Sequence, residues 1–441
     1  MDAGIVPPAT GAAKPLAAPA GAVTITLPGK PLGEDMLPSD SQSARSGRRR
    51  LALRAALAAW AVACMIATFA AAREPTRTPR GFQAYPTKYY VIHTDLGVDV
   101  VREAALRMTA MAEEYHRRTK DFGGTIRRKL PFHLFRKAAD YHDAGGPKNS
   151  AGVFTGEKLM AVAPARPTQG TWHTIQHEGF HQFARYAIRA PLPVWVNEGL
   201  AEYFGEGLFT GDGFVVGVVP PGRLRRLTKS LRDGKGKSLR DMMRMSHDDW
   251  NDEMDLANYD RAWSMIHFLV HADDGKYTKR LTRFINDTRR MRYEKAWARC
   301  FGRDVNAFEK KWRSYWLGQG ENPTAEKYAR ASVATLSSFL ARAAAAGQSF
   351  DTMQAFINTA DGGKLKVSKK DWLPPSLLAG AMARAPGLGR WSLTKADSGE
   401  MTLTLTAPGG RTFTGAYVLA GGRVKSVRVT EAAPAPTTQP S

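Results

Sequence analysis

A chain of 441 residues, 43% apolar and 24% charged, falls in the range of ordinary globular proteins and is long enough for two or three packed domains. Its 63 Lys and Arg against 41 Asp and Glu leave a formal charge of +22, which suits either an anionic neighbour or a strongly solvated surface. No compact arginine motif and no basic-aromatic interleaving is present, so a specific nucleic-acid partner is excluded. The two cysteines, Cys64 and Cys300, offer no expected intrachain disulfide, because Cys64 lies in an apolar segment open to removal. A packed core must hold the fold.

Residues 1–50 are rich in Ala, Pro, Gly and Ser and lack an amphipathic period, which reads as a disordered leader. Residues 51–72 follow a basic flank (Arg45, Arg48, Arg49, Arg50) and contain an uncharged run from Ala55 to Ala72, the form of a signal peptide or signal anchor. Translation from Met36 instead of Met1 would give that signal a more ordinary basic start. Either form places the remainder outside the cytoplasm, in the periplasm, at the cell surface or free. A membrane is then met only through this segment, if it is uncleaved.

Residues 73–85 read as a Pro-containing linker, and a folded domain is expected over 86–319. Tyr89 to Thr94 and Leu130 to Phe135 have the β-branched and aromatic character of strands, with a helix between them from Val98 to Lys120. Residues 151–163 predict a hairpin turning near Gly156. Two helices joined by a Pro-containing turn follow, within Thr171–Glu206. Beyond them come a Gly- and Val-rich hairpin or loop at 211–222, a basic stretch at 223–244, and helices near 257–271, 276–290 and 304–317. A second unit is expected over 320–430, with a helix at 325–346 and a small antiparallel sheet from Arg390. A disordered tail, 431–441, ends the chain.

The chemistry concentrates in Thr171–Glu206. His177 and His181 lie four apart, so a helix puts both imidazoles on one face, one turn from each other. That spacing lets them grip one zinc ion, with Glu178 beside them as general base. A catalytic zinc needs a third protein ligand, and no third histidine follows at close range: 184 and 187 are both Ala. Glu198 on the second helix is the candidate, and Glu202, one turn further on, can accept the free ring N–H of a ligating histidine. Glu178 then takes a proton from the attacking water and gives it to the leaving amine. His173 shares the face of His177 and could compete as a ligand, but it reads first as a packing or supporting residue. His267 and His271 form another four-apart pair without an acidic motif and read as structural.

His177-Glu178-Gly179-Phe180-His181 followed by Trp195-Val196-Asn197-Glu198-Gly199-Leu200-Ala201-Glu202-Tyr203 resembles the gluzincin branch of the zinc metallopeptidases. More narrowly, it resembles domain-of-unknown-function family 1570, secreted bacterial proteins with a peptidase-like core. The resemblance spans about residues 85–320. It implies an α+β, thermolysin-like core of a small mixed sheet and a helical subdomain, with His177, His181 and Glu198 as ligands and Glu178 as base. Tyr259 resembles the helix-borne tyrosine that stabilises the oxyanion in that branch, worth about 3 kcal/mol of barrier; a tyrosine packed at a helix start is the other reading. The acidic edge-strand motif by which the branch's aminopeptidases hold a free amino terminus is missing from 151–163, which turns the expectation toward an endopeptidase.

The expected activity is therefore peptide-bond hydrolysis with Zn2+ as cofactor and a peptide or protein as substrate. A catalytically silent binding module of the cell envelope, keeping a structural zinc, is the alternative. The basic stretches at 223–244 and 276–315 suit an anionic cell-envelope polymer in either case.

Overall fold

The computed structural model describes residues 79–188 and 190–434. The leader, the export segment with Cys64, and the last residues of the tail lie outside these. The fold is of the α+β class. Its first layer is a five-stranded mixed sheet built from β1 (Gln83–Pro86), β2 (Tyr90–Thr94), β3 (Leu130–Phe135), β4 (Gly152–Phe154) and β5 (Leu159–Val162), in the order β1-β2-β3-β5-β4. Strands β2, β3 and β5 run parallel, whereas β1 and β4 close the two edges antiparallel to their neighbours. Parallel neighbours require a crossover, and α1 (Val98–Thr119) supplies the one between β2 and β3. After β3 a short helix, α2 (Ala138–Asp143), leads to the β4–β5 hairpin, whose turn holds Gly156 at φ +89°. Strand β1 starts inside the stretch that composition reads as linker: its four residues carry no strand signal and are recruited by pairing with β2.

The helix α3 (Gln169–Ala187) packs on this sheet. A capping box between Thr168 and Thr171 starts it. Its Trp172 and Ile175 join Ile92, Leu130, Phe132, Leu134 and Met108 in one buried cluster. Gly179 is where α3 meets α1: a Cβ there would stand 2.7 Å from the Met108 methyl. The next helix, α4 (Val194–Gly205), begins at Pro193 and lies against α3. Gln176 ties the two together, since its buried amide donates to the carbonyls of Phe204, Gly205 and Gly207 at 3.0–3.3 Å. Those carbonyls end α4 and its following turn, where helical donors run out; that of Phe204 also accepts the Gly207 N–H at 2.9 Å.

A two-stranded hairpin, β6 (Leu208–Phe209) with β7 (Phe214–Val215), separates this half from a helical half. That half comprises α5 (Pro221–Arg232), α6 (Leu239–Arg244), α7 (His247–Glu253), α8 (Leu256–Gly275), α9 (Thr278–Asp287), α10 (Tyr293–Phe301) and α11 (Val305–Leu317). Buried Trp195, Trp263, Trp297, Trp312 and Trp316 form much of its core. Helix α8 crosses α4 closely: a Cβ on Gly199 would lie 2.4 Å from the carbonyl oxygen of Ala262. Only glycine permits that approach, which is what brings the start of α8 beside the acidic face of α4.

The C-terminal part has a long helix, α12 (Ala325–Ala345), two shorter ones, α13 (Met353–Asp361) and α14 (Pro375–Arg384), and an antiparallel sheet ordered β11-β10-β9-β8. Those strands are β8 (Arg390–Lys395), β9 (Met401–Thr406), β10 (Thr412–Ala420) and β11 (Arg423–Ala432). The last strand runs two residues into the stretch read as tail.

From Thr78 onward the chain is one compact unit, and the two parts expected on either side of 319/320 pack against each other. Phe209 of the β6–β7 hairpin is buried in the same cluster as Leu336, Phe339 and Leu340 of α12. Asp212 also makes a bidentate pair with Arg342, at 2.8 and 3.0 Å. Among the described residues no helix is long and apolar enough to cross a membrane.

Candidate metal centre

Three side-chain atoms from α3 and α4 converge. His177 Nε2 and His181 Nε2 are 3.0 Å apart, and each is 3.5 Å from the same carboxylate oxygen, Oε2 of Glu198. Helical spacing sets the two imidazoles edge to face with centroids 4.7 Å apart, and the Pro-containing turn folds α4 back so that its acidic face looks at them. Around a tetrahedral ion with bonds of about 2.0–2.2 Å, ligand atoms stand roughly 3.3–3.6 Å from each other. The three atoms therefore fit one zinc-sized cation, and imidazole with carboxylate is a donor set such an ion accepts.

The opposite ring nitrogens are also placed. His177 Nδ1 donates to Glu202 Oε1 at 2.9 Å, which leaves Nε2 with its lone pair toward the convergence point. His181 Nδ1 lies 2.9 Å from the side-chain amide of Asn197. An imidazole that gives its Nε2 lone pair to an ion carries its proton on Nδ1, so the carbonyl end of Asn197 is the matching partner. Glu202 is itself buried and gripped by the buried guanidinium of Arg223, which also reaches Glu206 and Asp260 at 3.2 Å.

A second group of possible ligands, His173, His177 and Glu202, shares His177 through its other nitrogen. His173 Nε2 stands 3.5 Å from Glu202 Oε2. That carboxylate already faces a guanidinium, so a cation there would meet Arg223. The Glu198 group has no such competitor and opens outward. His181 and Glu198 line a cleft of about 650 Å3 together with Phe154, Arg185, Leu192 and His247.

The electrostatics agree with cation binding. Burial opposes charge on His177, but hydrogen bonds to Glu198 and Glu202 outweigh it and hold its pKa well above the ordinary value. His181 is raised for the same reason, with burial opposed by the charge of Glu198. Burial would raise Glu198 and Glu202, yet His181 beside the first and Arg223 beside the second hold both carboxyls below the usual range. A pair of imidazoles that attracts protons this strongly is a site where a metal ion must displace them.

Glu178 is half-buried on the same helix. Its Oε2 accepts the backbone N–H of Phe154, on edge strand β4, at 2.8 Å. Gly152 makes room for this contact, since a Cβ there would lie 3.3 Å from Glu178 Cγ. Tyr259, in the first turn of α8, puts its ring 6.1 Å from that of His177 and edge-on to Trp250 at 5.0 Å. Burial, then the charge of Glu198, pushes its phenol up to about 12, so it stays a hydrogen-bond donor.

The structure thus brings together all six residues singled out from the sequence: His177, Glu178, His181, Glu198, Glu202 and Tyr259. His267 and His271 stand elsewhere. His267 Nε2 faces the Gly217 carbonyl at 3.2 Å, and His271 Nε2 faces Tyr203 Oη at 3.0 Å. Three participants were not singled out. Asn197 was adjacent to Glu198 in the motif and could have been found by asking what orients His181. Asp260 follows Tyr259, and Arg223 opens the basic stretch with nothing to mark it as the one turned inward.

No curated protein matches the chain. Residues 171–292, which carry every candidate ligand together with Glu178, Glu202 and Tyr259, match a family described as protein of unknown function, DUF1570.

Proposed function

We propose that this chain is a zinc-dependent peptidase of the gluzincin plan, acting as an endopeptidase. One observation carries the reading: two imidazole nitrogens and one carboxylate oxygen meet at 3.0–3.5 Å beside an open cleft that His181 and Glu198 line, with a glutamate next in sequence to the first histidine. His177, His181 and Glu198 would hold a zinc ion, which would supply Lewis-acid chemistry to a water and a carbonyl. Glu178, anchored through one oxygen on the Phe154 amide, has its other oxygen for the proton of the attacking water and returns that proton to the leaving amine. Tyr259 donates to the oxygen on which negative charge develops. Glu202, neutralised by Arg223, keeps His177 in the tautomer that leaves Nε2 available. The open cleft beside β4 accommodates an extended chain, which suits internal bonds.

The export segment at 51–72 would put this activity outside the cytoplasm, on peptide or protein substrates of the cell surface or its surroundings. The test is cleavage of a peptide library by the purified chain, with and without chelator, and by Glu178→Gln. The variant is expected to retain zinc and to lose activity about 10²–10⁴-fold. Equal cleavage by the variant removes Glu178 from the mechanism. Stoichiometric zinc with no cleavage by the wild type replaces the peptidase reading by that of a binding module.

A further inference from the structure

We propose that a second cleft, between α6 and α10, binds an acidic polypeptide segment carrying an apolar side chain. The cleft has a volume of about 650 Å3. Its floor is apolar: Met243, Trp297 and Val305 line it, and all three are buried. Its rim is cationic. Arg240 and Arg244 come from α6, Lys295 and Arg299 from α10, and Arg303 from the turn after α10.

Most of this charge is unmatched. Glu294, the carboxylate in the lining, is taken by Arg292 at 3.0 Å, and Arg299 reaches Asp287 at 3.6 Å. Asp241, three residues before Arg244 on α6, accepts from the hydroxyl of Ser238 at 2.7 Å and keeps its charge, which acts on Arg244 through space without an ion pair. Arg240, Arg244, Lys295 and Arg303 form no ion pair among the described residues. Four like charges around one depression repel each other and are stabilised by an anionic occupant. A purely polar polyanion would meet the rim but leave the apolar floor wet. A peptide with several carboxylates and one apolar side chain satisfies both.

The cleft is also close to the metal centre by two routes. Arg244 is three residues before His247, which lines the metal cleft, so their Cα atoms are at most about 11 Å apart. Trp297 packs edge-on against Trp195 at 6.0 Å, on the helix that carries Glu198. A long chain bound at one cleft can thus extend to the other. Binding itself requires no hydrolysis and stands whether or not the metal centre cuts.

The experiment is fluorescence anisotropy with a labelled peptide of alternating Glu and Gly around one Leu. It uses the full chain carrying Glu178→Gln, so that turnover cannot consume the probe. The double variant Arg244→Glu, Arg303→Glu is expected to bind about tenfold more weakly. The double variant Arg423→Glu, Lys425→Glu makes the same change in net charge on the exposed β11 strand and is expected to bind as the parent does. Replacing the Leu of the probe by Gly should weaken binding several-fold. Equal losses in the two double variants would assign the binding to net charge alone. A polyuronate or polyphosphate that displaces the probe at a lower concentration of anionic groups than unlabelled peptide would make the occupant a different polymer. Either result overturns the proposal.

Discussion

Two of the histidine pairs four residues apart in this chain, His177 with His181 and His267 with His271, have opposite surroundings. His177 and His181 face the carboxylates of Glu198 and Glu202, which draw protons to them against burial. His267 and His271 lie on α8 with ring centroids 4.5 Å apart, and the helix breaks just after them at Asp273 and Asp274, both at positive φ. Burial first, then neighbouring positive charges including Lys327, and for His271 also Arg118, press them down to about 4 and about 2. Both are neutral, His267 buried and His271 half-buried, and they engage the Gly217 carbonyl and the Tyr203 hydroxyl. Spacing alone therefore does not gather a group that could hold a metal ion. The acidic face of a second helix completes one.

The contrast can be sharpened at the first pair. Tyr259→Phe keeps the ring beside His177 and removes only the hydroxyl. It should lower kcat by about 10²–10³-fold while zinc content and KM change little. A normal kcat would return Tyr259 to the role of a packed tyrosine. Glu202→Gln should weaken zinc binding by about 10–100-fold, measured by competition with a chelator, because His177 loses its charged partner. Unchanged affinity would mean that Glu202 serves only Arg223.

Proton linkage separates the pairs by sign. His267 and His271 have depressed folded pKa values, so their stability contribution is complete above the unfolded value of about 6.5 and is lost as pH falls. Each costs about 1.4 kcal/mol per pH unit from there down to its folded value. His177 and His181, without metal, have raised folded values, so their contribution is present below about 6.5 and is lost as pH rises through the folded values. Urea unfolding of chelated protein should show this. The stability of wild type minus that of His267→Phe should fall between pH 6.5 and pH 5, and a flat difference would contradict the neutral-core assignment.

The site was more legible in the sequence than its scaffold. Two imidazoles at helical spacing, a turn and two glutamates at helical spacing constrain each other, so the residues announce both their elements and their convergence. Arg223 gave no such signal. The stretch 223–244 has the composition of a solvated face, and nothing in it marks one guanidinium as buried under Glu202, Glu206 and Asp260. The strand β1 was hidden because Gln83–Pro86 takes its conformation from β2 and not from its own residues. The union of the C-terminal part with the rest depends on Phe209 and Asp212, which come from a loop more than a hundred residues before the helix they hold. Local patterns do not encode such contacts.

The most direct measurement is zinc content of the full chain by elemental analysis after dialysis against trace metal, for wild type, His177→Ala and His267→Ala. One zinc per chain in wild type and in His267→Ala, with none in His177→Ala, is the result this structure predicts. No zinc in folded wild type, or the same zinc content in His177→Ala, would contradict it.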